Sequence, residues 1–258
     1  VFISDLRGFT RLSEQLGPMR TVQLLNRYFA VMTERLFALD SFVAKYVGDG
    51  IFAFFSAPVA QPDHALRACR AALACLEGLE QLKKDLAGED APDLRMGIGI
   101  GTGPVVVGNC GSELKFDYTV IGDTVNVASR LEGANKAFGT CVLMNEAAAQ
   151  AAGDEMLTRC LGRVHVVGRG EPLAVYELLG ASQGAAEGTH KLAAAFAAAM
   201  TDYEARRWPD AAKAFRDCLA LAPADTDFLG KRPGPAPVLR SPLNLRTRRR
   251  PGAHHHGP

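Results

Sequence analysis

Three short stretches of this chain put acidic, basic and amide side chains where phosphate chemistry needs them. In the first, "FISDLRGFT", an apolar strand delivers Asp5 at its end, and Gly8-Phe9-Thr10 opens a helix. A helix start leaves backbone N–H groups free and carries the positive end of the helix dipole, a ready site for phosphate. A carboxylate beside phosphate is repelled unless a divalent cation stands between them, so Asp5 points to magnesium or manganese. Read alone, it is equally a helix cap or turn residue. In the second stretch, "AKYVGDGIFAFF", Asp49 sits at a hairpin tip between Gly48 and Gly50. Asp-Gly is a favoured pair for a two-residue hairpin and accounts for these residues without any chemistry. Paired with Asp5, however, Asp49 could help to hold two cations about 4 Å apart. In the third stretch, "FDYTVIGDTVNVASRLE", Asn126 and Arg130 are four apart on a predicted helix and share a face. The arginine fork suits a phosphoryl group whose charge grows in the transition state, and the asparagine can orient a sugar. On an ordinary helix the same two residues would be surface positions.

The elements that must position these residues are legible from periodicity. A strand starts the chain, a helix over 10–39 is interrupted at Gly17-Pro18, and strands over 42–47 and 51–55 form the hairpin. Ala65, Leu66, Cys69, Ala72, Leu73, Leu76, Leu79 and Leu82 recur at helical spacing after Pro62-Asp63. Strands follow at 96–101, 105–108 and 117–121, then a helix over 124–138 and extended segments at 141–144, 164–167 and 174–178. Tight turns join two of the strand pairs, which parallel strands could not use, so the prediction is α+β, with helices packed on a mainly antiparallel sheet.

Residues 181–189, rich in Ala, Gly, Ser and Gln, read as a linker, and 190–223 as a helical hairpin. Its second half, "WPDAAKAFRDCLALAP", resembles one tetratricopeptide-repeat helix pair; a repeat remnant and a plain hairpin both fit, and a protein contact through it is possible. A single pair cannot bury its own face and needs a neighbour. Residues 224–258, dominated by Pro, Arg and Gly, are predicted to be a disordered basic tail, and His254-His255-His256 reads as solvated tail or tag remnant.

Of the 258 residues 48% are hydrophobic, enough for a sizeable core, yet no apolar run reaches the roughly 18–20 residues of a membrane span. Net charge +1 conceals seven basic and no acidic side chains in 231–258, which leaves −6 on the rest and argues against nucleic-acid binding there. Cys69, Cys75, Cys110, Cys141, Cys160 and Cys218 lack metal-site spacing and read as small core residues in a reducing cytoplasm. The opening Val1-Phe2-Ile3 reads as a strand already under way, as in a fragment whose upstream part could carry a sensor or anchor.

Taken in order, "FISDLRGFT", "KYVGDG", "LRMGIGIGTGPVVVGN" and "YTVIGDTVNVASRLE" resemble the class III nucleotidyl cyclase catalytic domain over residues 1–180. The resemblance implies a ferredoxin-like cyclase fold and conversion of ATP to cyclic AMP and pyrophosphate, in intracellular signal transduction. It implies that Asp5 and Asp49 bind two divalent cations, Mg2+ or Mn2+. One of them would activate the ribose 3′-hydroxyl, and the other would clamp the triphosphate. Lys45 and Thr119 match the two base-selecting positions and favour adenine over guanine. The threonine is similar to that of a subgroup including bicarbonate-responsive cyclases. Asn126 and Arg130 match the ribose-orienting and transition-state pair. Phe9 and Thr10 fall at the nucleotide-binding helix start, Arg95 matches a position near the phosphates, and Arg169 is a possible second contact, offset from the usual lysine. Lys45 and Asp49 stand four residues apart on one hairpin yet must serve opposite ends of a nucleotide. The resemblance resolves this with a head-to-tail homodimer whose two sites lie between the chains. Guanylate cyclase activity and a nucleotide-binding regulatory module are the alternatives.

Overall fold

A period of two in the strands decides the architecture. In strand β1 (Phe2–Leu6), Phe2 and Leu6 enter one buried cluster, while Ile3 joins another on the opposite face, the side to which Asp5 also belongs. The computed structural model of the chain describes residues 1–86, 94–164 and 171–222. Arg169, most of the strand expected at 164–167, and the basic tail lie outside those residues. After β1 come helix α1 (Phe9–Phe37), strands β2 (Phe42–Val47) and β3 (Gly50–Phe54), and helix α2 (His64–Asp85). Strands β4 (Met96–Ile100), β5 (Val106–Gly111) and β6 (Phe116–Ile121) lead into α3 (Asp123–Phe138) and β7 (Val142–Asn145). A short helix α4 (Glu146–Ala152), strands β8 (Met156–Val164) and β9 (Leu173–Ala181), and helices α5 (Glu187–Glu204) and α6 (Trp208–Leu221) complete it.

Seven strands form one sheet in the order β2-β3-β1-β4-β7-β9-β8, and β5 and β6 form a separate ribbon. Only β4 and β7 pair in parallel; the rest are antiparallel, the α+β arrangement expected. On one face α1 and α2 bury Tyr28, Met32, Leu36, Cys69, Cys75 and Leu79 against Phe2, Ile51, Met96, Ile98 and Met144. On the other, α3 packs over β4, and the strand sequence makes room for it. Met96, Ile98 and Ile100 enter the first core, while a Cβ on Gly99 would stand 2.0 Å from the carbonyl oxygen of Ala128. Only glycine allows that approach. Buried Asn135 then ties the helix down, donating to the carbonyl of Ile98 at 2.9 Å and accepting from the hydroxyl of Thr140 at 2.9 Å.

The helical pair at the end is joined to the strands by a shared core. Phe196, Met200 and Phe215 sit in one buried cluster with Leu131, Phe138, Leu143, Leu161 and Val175. The neighbour that a lone helix pair requires is therefore the sheet itself. Strand β9 runs to Ala181 and α5 starts at Glu187, so the stretch read as linker is shorter than 181–189. Strand β8 begins at Met156, earlier than the segment expected at 164–167. Its sequence, "MLTRCLGRV", carries two arginines that mask the strand pattern, and Arg159 is nonetheless buried, paired with Glu177 at 2.6 Å. Helix α4 is seven residues long, too short for a period to show. The cysteines need correction: Cys69, Cys75 and Cys218 are buried, but Cys110 and Cys141 are exposed and Cys160 is half-buried. Cys110 lies on the ribbon away from the main sheet, and Cys141 precedes the first residue of β7. All six are free thiols. Among the described residues no helix is long and apolar enough to cross a membrane.

Candidate active site

The two aspartates meet because β3 lies directly against β1. Val47 pairs with Gly50, so Gly48 and Asp49 form the two-residue loop of the β2–β3 hairpin. Gly48, at φ +64°, takes the positive φ that the first loop position requires. Glycine before aspartate is thus the turn pair, rather than the Asp-Gly pair the sequence suggests. A Cβ on Gly50 would stand 2.9 Å from the carbonyl oxygen of Ser4 and 3.4 Å from Oδ1 of Asp5. That close approach lets Asp49 Oδ2 accept the backbone N–H of Leu6 at 3.0 Å. Burial, the hydrogen bond and charge of Asp49, and the charge of Glu132 together push the Asp5 carboxyl up to about 7.

Helix α3 presents two chemically different sides. Val127, Leu131, Ala134 and Phe138 form its buried face. Asn126 is exposed and Arg130 half-buried along one edge. Glu132, two residues beyond Arg130, lies roughly 160° around the axis. It faces β4 beside Asp5. Burial pushes its carboxyl up to about 7, with the guanidinium of Arg7 opposing and Asp49 adding to the rise. Glu132 is not among the residues that sequence reasoning singled out, although it ends the "NVASRLE" motif. Arg7 donates from its guanidinium to the carbonyl of Thr140, just past the negative end of α3, and from its backbone to the carbonyl of Arg95 at 2.7 Å.

The remaining expected residues divide by element. Lys45 on β2 ion-pairs with Asp117 on β6 at 3.7 Å, both about half exposed. Asp117 and Thr119 are two apart on one strand and therefore share a face, which brings Lys45 to the side of β6 that carries Thr119. Asp117 is a further partner that sequence reasoning missed. Phe9, in the first turn of α1, packs against the core, and Thr10 beside it is exposed. Gly8 caps the helix in the left-handed conformation, φ +72°. The side chain of Arg95 is exposed just before β4.

The donor set fits a hard divalent cation, since two carboxylates converge where burial, and then the neighbouring carboxylate, favour the protonated form of Asp5. Among the described residues no group of three or more His, Cys, Asp or Glu is arranged to hold a metal ion. Asp5 and Asp49 thus offer part of a coordination shell, which water and substrate phosphates would complete.

Comparison with known proteins places the chain among cyclases. The family described as the adenylate and guanylate cyclase catalytic domain matches residues 1–180. Adenylate cyclase 1 of Rhizobium meliloti is 41% identical over 177 residues, covering 69% of this chain and 27% of that protein. The adenylate cyclase of Anabaena cylindrica is 34% identical over 182 residues, 69% of this chain and 36% of its own length. The chain therefore spans about a third of the length of these curated relatives. Among solved structures, the adenylyl cyclase CyaB from P. aeruginosa superposes with TM-score 0.66 at 30% identity, covering 72% of this chain and 95% of that one. The guanylyl cyclase Cya2 gives TM-score 0.65 at 34% identity, covering 71% and 92%.

Proposed function

The chain belongs to the class III adenylate and guanylate cyclase catalytic domain family, and on that premise we propose that it converts ATP to 3′,5′-cyclic AMP and pyrophosphate as a head-to-tail homodimer. The observation that carries this reading is the meeting of Asp5 and Asp49 at one end of β1, while Asn126 and Arg130 line the far side of α3. In the reaction the ribose 3′-oxygen bonds to the α-phosphorus, the bond from that phosphorus to the bridging oxygen breaks, and pyrophosphate leaves in line. Asp5 and Asp49 would hold two divalent cations, Mg2+ or Mn2+, which would supply positive charge to lower the pKa of the 3′-hydroxyl and to offset the negative charge of the triphosphate.

Lys45 donates to N1 of adenine and Thr119 accepts from its N6 amine, with Asp117 holding the lysine in place. Asn126 orients the ribose, and Arg130 meets the charge that builds on the pentacovalent phosphorus. The backbone amides at Phe9 and Thr10 receive phosphate oxygens, and Arg95 and Arg169 add positive charge around them.

Two features support a second copy. Arg130 lies roughly 160° around α3 from Glu132, the residue that faces β4 beside Asp5, an arrangement that supports a site completed by a second chain. The β5–β6 ribbon also leaves Val106, Leu114, Phe116 and Ile121 exposed, Leu114 by 98%, an apolar surface that suits burial against another protomer. A chain with free thiols that consumes ATP fits a reducing cytoplasm and a role in intracellular signalling.

Incubating the purified chain with ATP or GTP and Mn2+ or Mg2+, followed by chromatography of the products, tests the proposal. Cyclic AMP is the expected product. Guanylate cyclase activity is the second reading, favoured by the likeness to a guanylyl cyclase at 34% identity, and cyclic GMP from the GTP arm would establish it instead.

A further inference from the structure

We propose that Glu132 is a positioning residue for the divalent cations, a third carboxylate that strengthens their binding to Asp5 and Asp49 without ligating them. The inference rests on the reading of those aspartates as cation ligands. In the antiparallel pair of β1 and β4, Asp5 lies directly opposite Gly97. Opposed residues normally bring their Cβ atoms about 5 Å apart and let their side chains interact. Here the strand offers no side chain, and the space is filled from above: Glu132 Oε1 lies 2.9 Å from the position a Gly97 Cβ would take. Helix α3 thus inserts a carboxylate where the neighbour of Asp5 would be.

Packing alone gives no reason for that choice. Other α3 residues that meet β4 include Ala128, over Gly99, and the hydrogen-bonded Asn135. A leucine or glutamine would cover Gly97 as well as a glutamate does. A half-buried carboxylate facing two more is unfavourable in the metal-free protein, and Arg7, whose charge opposes that cost, already gives a donor to Thr140. Placing a charge against the local rule is expected where function needs it. Added negative potential beside a ligand pair attracts cations, and a carboxylate just outside the ligand shell can accept hydrogen bonds from cation-bound water. Because no triplet among the described residues has ligand geometry, Glu132 acts from outside that shell.

The test titrates Mn2+ into the nucleotide-free protein and follows the free ion by electron paramagnetic resonance, for the wild type, Glu132→Gln, Glu132→Asp and Asp49→Asn. Glu132→Gln, equal in size but neutral, should bind Mn2+ about tenfold more weakly with the same number of sites, and Glu132→Asp should fall between. Thermal unfolding in EDTA should show Glu132→Gln at least as stable as the wild type, with a smaller stabilisation by Mn2+, a combination that a purely structural glutamate would not produce. Wild-type affinity in Glu132→Gln, or a loss of stability in EDTA, overturns the inference while leaving the aspartate pair intact. A wild type indistinguishable from Asp49→Asn in Mn2+ binding instead overturns the reading of Asp5 and Asp49 as ligands, and this inference with it.

Discussion

Arg130 and Asp49 should fail in different ways when removed. In the proposed reaction Arg130 meets charge that appears only in the transition state, so Arg130→Ala should lower kcat by about 10²–10³ and leave KM for ATP nearly unchanged. Asp49→Ala removes half of the carboxylate pair and should abolish turnover and weaken metal-dependent nucleotide binding together, measurable by steady-state kinetics and calorimetry. The same cluster predicts a pH dependence. Asp5 and Glu132 both titrate near 7 in the folded chain, well above their ordinary carboxylate values, so the native state holds protons that the unfolded state has released. Stability from this source is present at pH 4 and is lost as pH rises through about 7. In EDTA the melting temperature should therefore fall between pH 5 and pH 8, and saturating Mn2+ should flatten that fall. At this scale the sequence was most readable in Asp5, Asp49, Asn126 and Arg130, whose types and spacing stand out along the chain. Glu132 and Asp117 were not, because their importance lies in which residues of other elements they face.

Helix α3 depends on the bareness of β4. Gly99→Ala would drive a methyl group to 2.0 Å from a backbone oxygen, so α3 must lift off the sheet. The expected cost is 3 kcal/mol or more, the upper end for overpacking, read from denaturant unfolding. The glycines of "MGIGIG" and the helix over 124–138 were both visible in the sequence, but the docking of one on the other was not, since the ribbon separates them along the chain. The α5–α6 pair is held in part by Arg159, buried between Glu177 at 2.6 Å and the ring of Phe196, whose centroid is 4.9 Å from the guanidinium carbon. Arg159→Ala should destabilise by about 3–5 kcal/mol by removing a buried cation that pairs with the largely covered Glu177, whereas Arg159→Met with Glu177→Leu should recover most of that loss. Chemical denaturation of the two variants checks the difference. A reading by apolar pattern passes over β8 because an arginine scores as surface until its partner is known.

For the molecule as a whole, the proposed site between two chains makes a quantitative prediction. Asp49→Ala and Arg130→Ala are each defective alone, yet in a mixed dimer one of the two sites takes its aspartates from the Arg130→Ala chain and its arginine from the Asp49→Ala chain. An equal mixture should regain about a quarter of wild-type activity, since half the dimers are mixed and each has one intact site. No recovery on mixing would mean that one chain builds its own site. The sequence by itself determined the alternation of helices and strands, the apolar faces and the residue types suited to cations and phosphate. Those follow from local periodicity and side-chain chemistry, which need no distant partner. Only the tertiary structure decided that β3 brings Asp49 to Asp5, that Glu132 fills the gap opposite Gly97, and that the terminal helix pair completes its core on the sheet. Each of these is a contact between segments far apart in the chain, set by strand register and helix docking, which no local pattern encodes.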